Sequence, residues 1–302
     1  LIIFIMDECV RDIHFVLRNV SFSKIDYNIP HSNLRVALLM AGEMRNYDHA
    51  DLLKLNENNF FSKYKCDLFV STWDKKGYSP YHGTVQIKNY SNEKLTNNDI
   101  LKTYKNVKNI NIENFDEWLL KLPQTYREIY DKGFQIVGTN KIVKCTVFPQ
   151  LYKIWNANEM KKTYEKSNNF KYDMVIRIRS DMGFVEDIPD AYLYDFLKTH
   201  ESLNKIWTIN PPKIFYPKRI YDIFFYGDSQ TMNKLCDSWN HILDIIGHPY
   251  DNGLLKVDSC RSLYVGCLMN NINVIDILHC FGDIYRDETI SDYIDKILHV
   301  FN

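Results

Sequence analysis

The sequence has no excess of either charge. Its 37 Lys and Arg stand against 38 Asp and Glu, a formal net charge of -1. That balance argues against a dedicated nucleic-acid binder, which carries a basic excess or stripe, and leaves room for one local anion site. There is no CxxC pair and no Cys/His cluster at zinc spacing. The seven cysteines (Cys9, Cys66, Cys145, Cys236, Cys260, Cys267, Cys280) are odd in number and widely spread. Most sit in apolar runs, such as that around Cys66, where a reduced thiol packs as a small hydrophobe. A reducing, cytoplasmic setting is therefore expected. No apolar stretch approaches the roughly 20 residues a helix needs to cross a bilayer. The apolar start, Leu1 to Met6, also lacks the charged leader and cleavage site of a signal peptide. A chain opening on Leu rather than Met reads as a piece of a longer protein, with other domains beside it. GxGxxG, Walker, GxSxG, HExxH and EF-hand patterns are all missing, and none of the nine histidines pairs at metal-ligand spacing.

What is present is enough for a large core. The 302 residues are 45% hydrophobic and 14% aromatic, which excludes a disordered chain and suits one large domain or two ordinary ones. Strand and helix patterns alternate, as in a mostly parallel sheet covered on both faces. Strands are expected at 35–40, 67–73, 107–112, 172–178, 206–209, 223–226 and 272–277. Helices are expected at 48–61, 113–132, 149–166, 189–198, 229–246 and 258–270. The first 30 residues, ending at Pro30, read as an appended segment, and 31–302 as a single α/β domain with helical elaborations.

In open α/β sheets, ligands bind beyond the carboxyl ends of the strands, so the residues there carry the functional reading. After the first strand come Gly42 and Arg45: a glycine that lets backbone approach closely, and a guanidinium able to fork onto phosphate or carboxylate. A turn glycine and a surface arginine are the plainer explanation. The second strand ends at Trp73 and Asp74, a flat apolar face followed by an acceptor for ribose hydroxyls or a base edge; such a tryptophan is also ordinary core. In Met174–Asp181, alternation puts Arg177, Arg179 and Asp181 on one side and Ile176 and Ile178 on the other. Arginines in a buried strand must be paired or aimed at an anion. A carboxylate at such a strand end can hold a divalent cation. An internal Arg–Asp ion-pair ladder would use the same residues. Asp258 stands where it could cap a helix or serve as a catalytic base.

Four segments in order, Val36 to Arg45, Cys66 to Trp73, Tyr172 to Asp181 and Asp222 to Ser229 followed by Met232, resemble a family of glycosyltransferases found in large DNA viruses and some bacteria. The resemblance covers about residues 34 to 280. It implies a GT-A-like fold: a mostly parallel Rossmann-type sheet flanked by helices, with a nucleotide-sugar half (31–185) joined without a linker to an acceptor half (186–302). It implies transfer of a sugar from a nucleotide-sugar donor to a hydroxyl on a glycan or protein, in a viral protein at work in the host cytoplasm or virion. Gly42, Arg45, Trp73, Asp74, Arg177 and Arg179 would contact the donor. Asp181 would hold Mn²⁺ or Mg²⁺ on its diphosphate, and Asp258 would act as base. The chain departs from the usual DxD motif, since Arg179 stands two residues before Asp181. Either Asp181 works with another acid such as Asp187, or arginines replace the metal. The alternative function is a catalytically silent module that binds a nucleotide or glycan.

Overall fold

The run Val36–Ala41 is apolar at every position, and a strand can bury such a run only if both its faces are covered. In the computed structural model both are. The structure describes residues 34–77, 90–135, 142–143, 145, 147–188, 190–198, 204–209, 220–248, 259–277 and 282–284. The appended segment 1–30 lies outside them. Val36–Ala41 forms strand β1, with β2 at Cys66–Trp73, β3 at Val107–Glu113, β4 at Met174–Ile178, β5 at Lys205–Ile209, β6 at Phe224–Gly227 and β7 at Asn273–Ile277. They make one seven-stranded sheet in the order β7-β5-β6-β4-β1-β2-β3. All neighbours run parallel except at β6, which is antiparallel to both β4 and β5. The expected α/β class with a mostly parallel sheet is what the chain adopts.

The described helices are α1 (Ala50–Asn56), α2 (Asn97–Thr103), α3 (Phe115–Lys121), α4 (Gln124–Lys132), α5 (Val147–Asn168), α6 (Asp190–Lys198), α7 (Ser229–Cys236), α8 (Ile242–Gly247) and α9 (Ser259–Met269). Val36, Leu38 and Met40 share a core with Leu52 of α1, Ile100 of α2 and Phe196 of α6. Ala37, Leu39 and Ala41 face the opposite core, with residues of α3, α4, α5, α7, α8 and α9. Strand alternation thus produces a three-layer α/β/α arrangement directly from β1. None of the described helices is long and apolar enough to cross a membrane.

Two helices expected as continuous are broken. The stretch 113–132 divides into α3 and α4 at Leu122, whose backbone is extended (ψ 149). The cause is Pro123, which disfavours helical geometry in the residue before it. The stretch 229–246 divides into α7 and α8 around a 3-10 segment, Asp237–His241. Asp228 has an ordinary task here, capping α7 by accepting from the backbone N–H of Gln230 and Thr231.

Helix α5 follows the helical period poorly because it buries polar residues among its apolar ones: Lys153, Asn158, Lys161 and Glu165. Lys161 Nζ lies 3.3 Å from Glu165 and donates to Ser229 Oγ (2.5 Å) and Asn233 Oδ1 (2.9 Å). Glu165 Oε1 accepts in turn from Ser229 Oγ (2.6 Å) and from the Tyr172 backbone N–H (2.9 Å). Burial pushes the Lys161 amine down, and Glu165 opposes that shift. This polar lock ties α5 to α7 and to the residues that lead into β4.

Candidate functional site: a cavity at the switch of the sheet

Strands β1, β2 and β3 step outward in one direction, whereas β4 falls on the other side of β1. The connections before and after this reversal diverge, leaving a crevice at the carboxyl ends of β1 and β4. A cavity of about 180 Å³ opens there. Its wall takes Ala41, Gly42, Glu43 and Arg45 from the end of β1, and Arg177 and Arg179 from β4 and the residue after it. Trp73, Phe115 and Tyr130 give an aromatic side, while Gln150, Asp222 and Ser259 give a polar one. Of the residues singled out in the sequence, Gly42, Arg45, Trp73, Arg177 and Arg179 come together here. Asp74 and Asp181 do not line the cavity, and Asp258 lies outside the described residues, although its neighbour Ser259 is in the wall.

Gly42 has φ +111, a backbone conformation that favours glycine, and a side chain placed there would meet nothing within 4 Å. Ser180 holds the turn that follows. Its Oγ accepts from the Arg45 backbone N–H (3.0 Å) and lies 3.0 Å from the Glu43 carbonyl. Arg45 is engaged by Glu43, to which Nε donates at 2.7 Å.

The two β4 arginines differ sharply. Arg179 makes a two-pronged contact with Asp181, Nε to Oδ1 at 2.8 Å and Nη2 to Oδ2 at 2.7 Å. Burial disfavours the charge on Arg179, but the Asp181 carboxylate outweighs it and holds the guanidinium protonated. Arg177 is only 1% exposed. Among the described residues its side chain makes one hydrogen bond, a long one from Nη2 to the Ala41 carbonyl at 3.4 Å, and its Nε and Nη1 meet no acceptor. Burial pushes its guanidinium down to about 10, with Asp222 pulling the other way. A buried donor left unpaired costs about 1–3 kcal/mol, more when charged. Arg177 is therefore expensive as a structural residue and suited to gripping an anion.

Asp222 opens the fourth of the segments that carry the resemblance, but the sequence alone assigns it no role in the site. In the structure its Oδ2 accepts from Gln150 Nε2 and from Ser259 Oγ (2.9 Å), and its Oδ1 lies 3.5 Å from Cys260 Sγ. Burial alone would raise the carboxyl, yet Arg179 and Arg177 together hold it below the usual carboxylate range.

A divalent cation does not fit at Asp181. Its nearly fully buried carboxylate is already neutralised by the two-pronged ion pair with Arg179 and stands away from the cavity wall. Asp187 is committed elsewhere, accepting from the Ile188 N–H (2.7 Å) and pairing with Lys63 (3.0 Å). Among the described residues no three His, Cys, Asp or Glu side chains gather to hold a metal.

Behind the aromatic wall, Trp73 packs on Phe115 (5.0 Å between centroids) and Trp118 (4.9 Å). Lys153 Nζ sits 4.0 Å from the Trp73 ring centre and 2.7 Å from Glu113. Burial pushes the Lys153 amine down to about 8, against the pull of Glu113 and Asp74. Its ordinary value is 10.5. From pH 8 upward to that value, the unfolded chain keeps a proton the folded chain has released, so this lysine adds stability as pH rises. The difference in urea-unfolding stability between the native chain and Lys153→Met is expected to move in favour of the native chain across that window. A difference that stays flat would show that Lys153 is not perturbed.

No protein-family model and no curated protein matches the sequence.

Proposed function

We propose that the chain is a glycosyltransferase that takes a nucleotide-sugar into the switch cavity and passes the sugar to a hydroxyl on a glycan or protein. The observation that carries this reading is Arg177, a buried guanidinium whose Nε and Nη1 have no partner among the described residues, in the wall of the crevice. Its surroundings suit a donor of this class. An anion clamp answers the diphosphate, and the aromatic side formed by Trp73, Phe115 and Tyr130 offers apolar faces to sugar or base.

In the reaction, the acceptor hydroxyl oxygen attacks the anomeric carbon. The bond from that carbon to the diphosphate oxygen breaks, and the departing diphosphate keeps the electron pair. The acceptor proton passes to a base, the role expected of Asp258. Arg177 meets the negative charge that grows on the leaving group, and preorganised charge in a dry site is an effective way to lower such a barrier. Arg179 takes no direct part in this scheme, being bound to Asp181, and no step needs a metal.

A thermal-shift panel of UDP-, GDP-, CMP- and dTDP-sugars, each with and without Mn²⁺, tests the reading. A ligand at about 100 times its dissociation constant adds roughly 2.7 kcal/mol, which raises the melting midpoint by several degrees. One nucleotide is expected to stand out, with the same shift in EDTA as in Mn²⁺. A flat panel on folded protein would refute nucleotide-sugar binding. A shift that needs Mn²⁺ would refute the arginine clamp alone. Donor binding without turnover on any acceptor would favour the silent binding module.

A further inference from the structure

Three arginines and two carboxylates contribute to the cavity wall, and most of these charges are matched locally: Arg45 by Glu43, Arg179 by Asp181 behind the wall. Arg177 and Asp222 are different. Each lines the cavity, and neither has an ion-pair partner among the described residues. Opposite charges in a water-poor space attract strongly, so their separation has to be enforced. Gln150, in the first turn of α5, and Ser259, at the start of α9, fix the place of Asp222 in the wall by donating to its Oδ2. Among the described residues, Oδ1 has only the weak thiol donor of Cys260 at 3.5 Å. A carboxylate has about four lone-pair sites, so Asp222 keeps acceptor capacity beside the cavity.

We propose that Asp222 accepts a hydrogen bond from a hydroxyl of the bound ligand, so that the cavity selects an anion carrying a neighbouring sugar over a bare anion. The inference rests on the nucleotide-sugar reading above and names what the polar side of that cavity recognises. A cavity built only for a phosphate group would have no use for an ionised carboxylate, which repels it. A phosphate ester of a sugar satisfies both groups at once: phosphate oxygens on Arg177, a hydroxyl on Asp222. The neighbouring guanidiniums keep Asp222 ionised at neutral pH despite its burial. The acceptor is therefore charged, and hydrogen bonds to charged groups contribute about 1.5–3 kcal/mol.

The test is calorimetric titration of the native chain and Asp222→Asn with two probes, in EDTA: the nucleotide-sugar that stabilises most in the panel, and inorganic pyrophosphate. Asparagine keeps the volume and one acceptor but removes the charge. The nucleotide-sugar is expected to bind the variant roughly tenfold to a hundredfold more weakly. Pyrophosphate, relieved of repulsion, is expected to bind as well or more tightly. That crossing of signs supports the proposal. Weakening of both probes together would mean that Asp222 only supports the wall, and tightening of both that it is only a counter-ion; either overturns it. A native chain that binds pyrophosphate but no nucleotide-sugar would sink the underlying reading instead. Ligand-side deletion gives a check that needs no variant. The native chain should lose a similar factor on at least one deoxy analogue of the donor, and indifference to every such analogue also overturns the proposal.

Discussion

Arg177→Met is expected to weaken nucleotide-sugar binding by a hundredfold or more while leaving the free protein at least as stable as before. Nε and Nη1 of Arg177 meet no acceptor among the described residues, so a bound diphosphate would give the guanidinium its first good partners there. Two charge-assisted hydrogen bonds at about 1.5 kcal/mol or more each give about 3 kcal/mol, roughly a hundredfold. The free protein gains because methionine fills most of the same space without a desolvated charge, and replacing buried ionic groups by apolar ones is often neutral or stabilising. Arg179→Met should do the opposite. It strands the buried Asp181 carboxylate, and breaking a buried pair from one side costs about 3–5 kcal/mol. Titration calorimetry and urea unfolding on both variants measure the contrast. Equal destabilisation by the two substitutions would mean that Arg177 belongs to an internal ion-pair ladder after all, and the anion site would go with it.

The second large effect lies at the opposite end of α5. Lys161→Met is expected to cost about 3–5 kcal/mol of folding stability, because it leaves Glu165, fully buried, without its ammonium partner. Exposed Lys171 at 3.6 Å is too well solvated to substitute for it. Adding Glu165→Gln removes the stranded charge and keeps an acceptor for Ser229 and Tyr172, so the double variant should regain much of the loss. Urea midpoints across the two single variants and the double one give the coupling energy. Additive losses would show that the ion pair contributes nothing beyond its hydrogen bonds.

All seven strands of the sheet are readable from the sequence: β1 and β4 as short apolar runs, β1 even revealing that both its faces are covered, and β3 (VKNINIE) by apolar residues alternating with polar ones. Helix boundaries were less legible. Pro123 does split the helical stretch, but proline is also common in a first turn, so its presence does not say which role it has. The soft period of α5 has a cause that no pattern shows: Lys153, Lys161 and Glu165 are buried because partners arrive from distant strands and helices. The arginine alternation in β4 was legible, yet the difference between Arg177 and Arg179 was not. Asp181 lies past the strand end, and only the turn there swings its carboxylate back onto Arg179. Asp222 was hidden for a related reason, since its significance depends on the direction in which β6 runs.

That direction has a consequence of its own. In a wholly parallel sheet every strand reaches the ligand edge with its last residue, and the same βα turns must perform every task there. The reversed β6 instead delivers the residues ahead of a strand to that edge, so Asp222 is encoded apart from the β1 and β4 ends that supply Gly42 and Arg177. On the proposed reading, grip and discrimination therefore sit on stretches of chain that can diverge separately. On the nucleotide-sugar reading, a change in the sugar recognised needs alteration only of the residues just ahead of β6, with the anion clamp left unchanged.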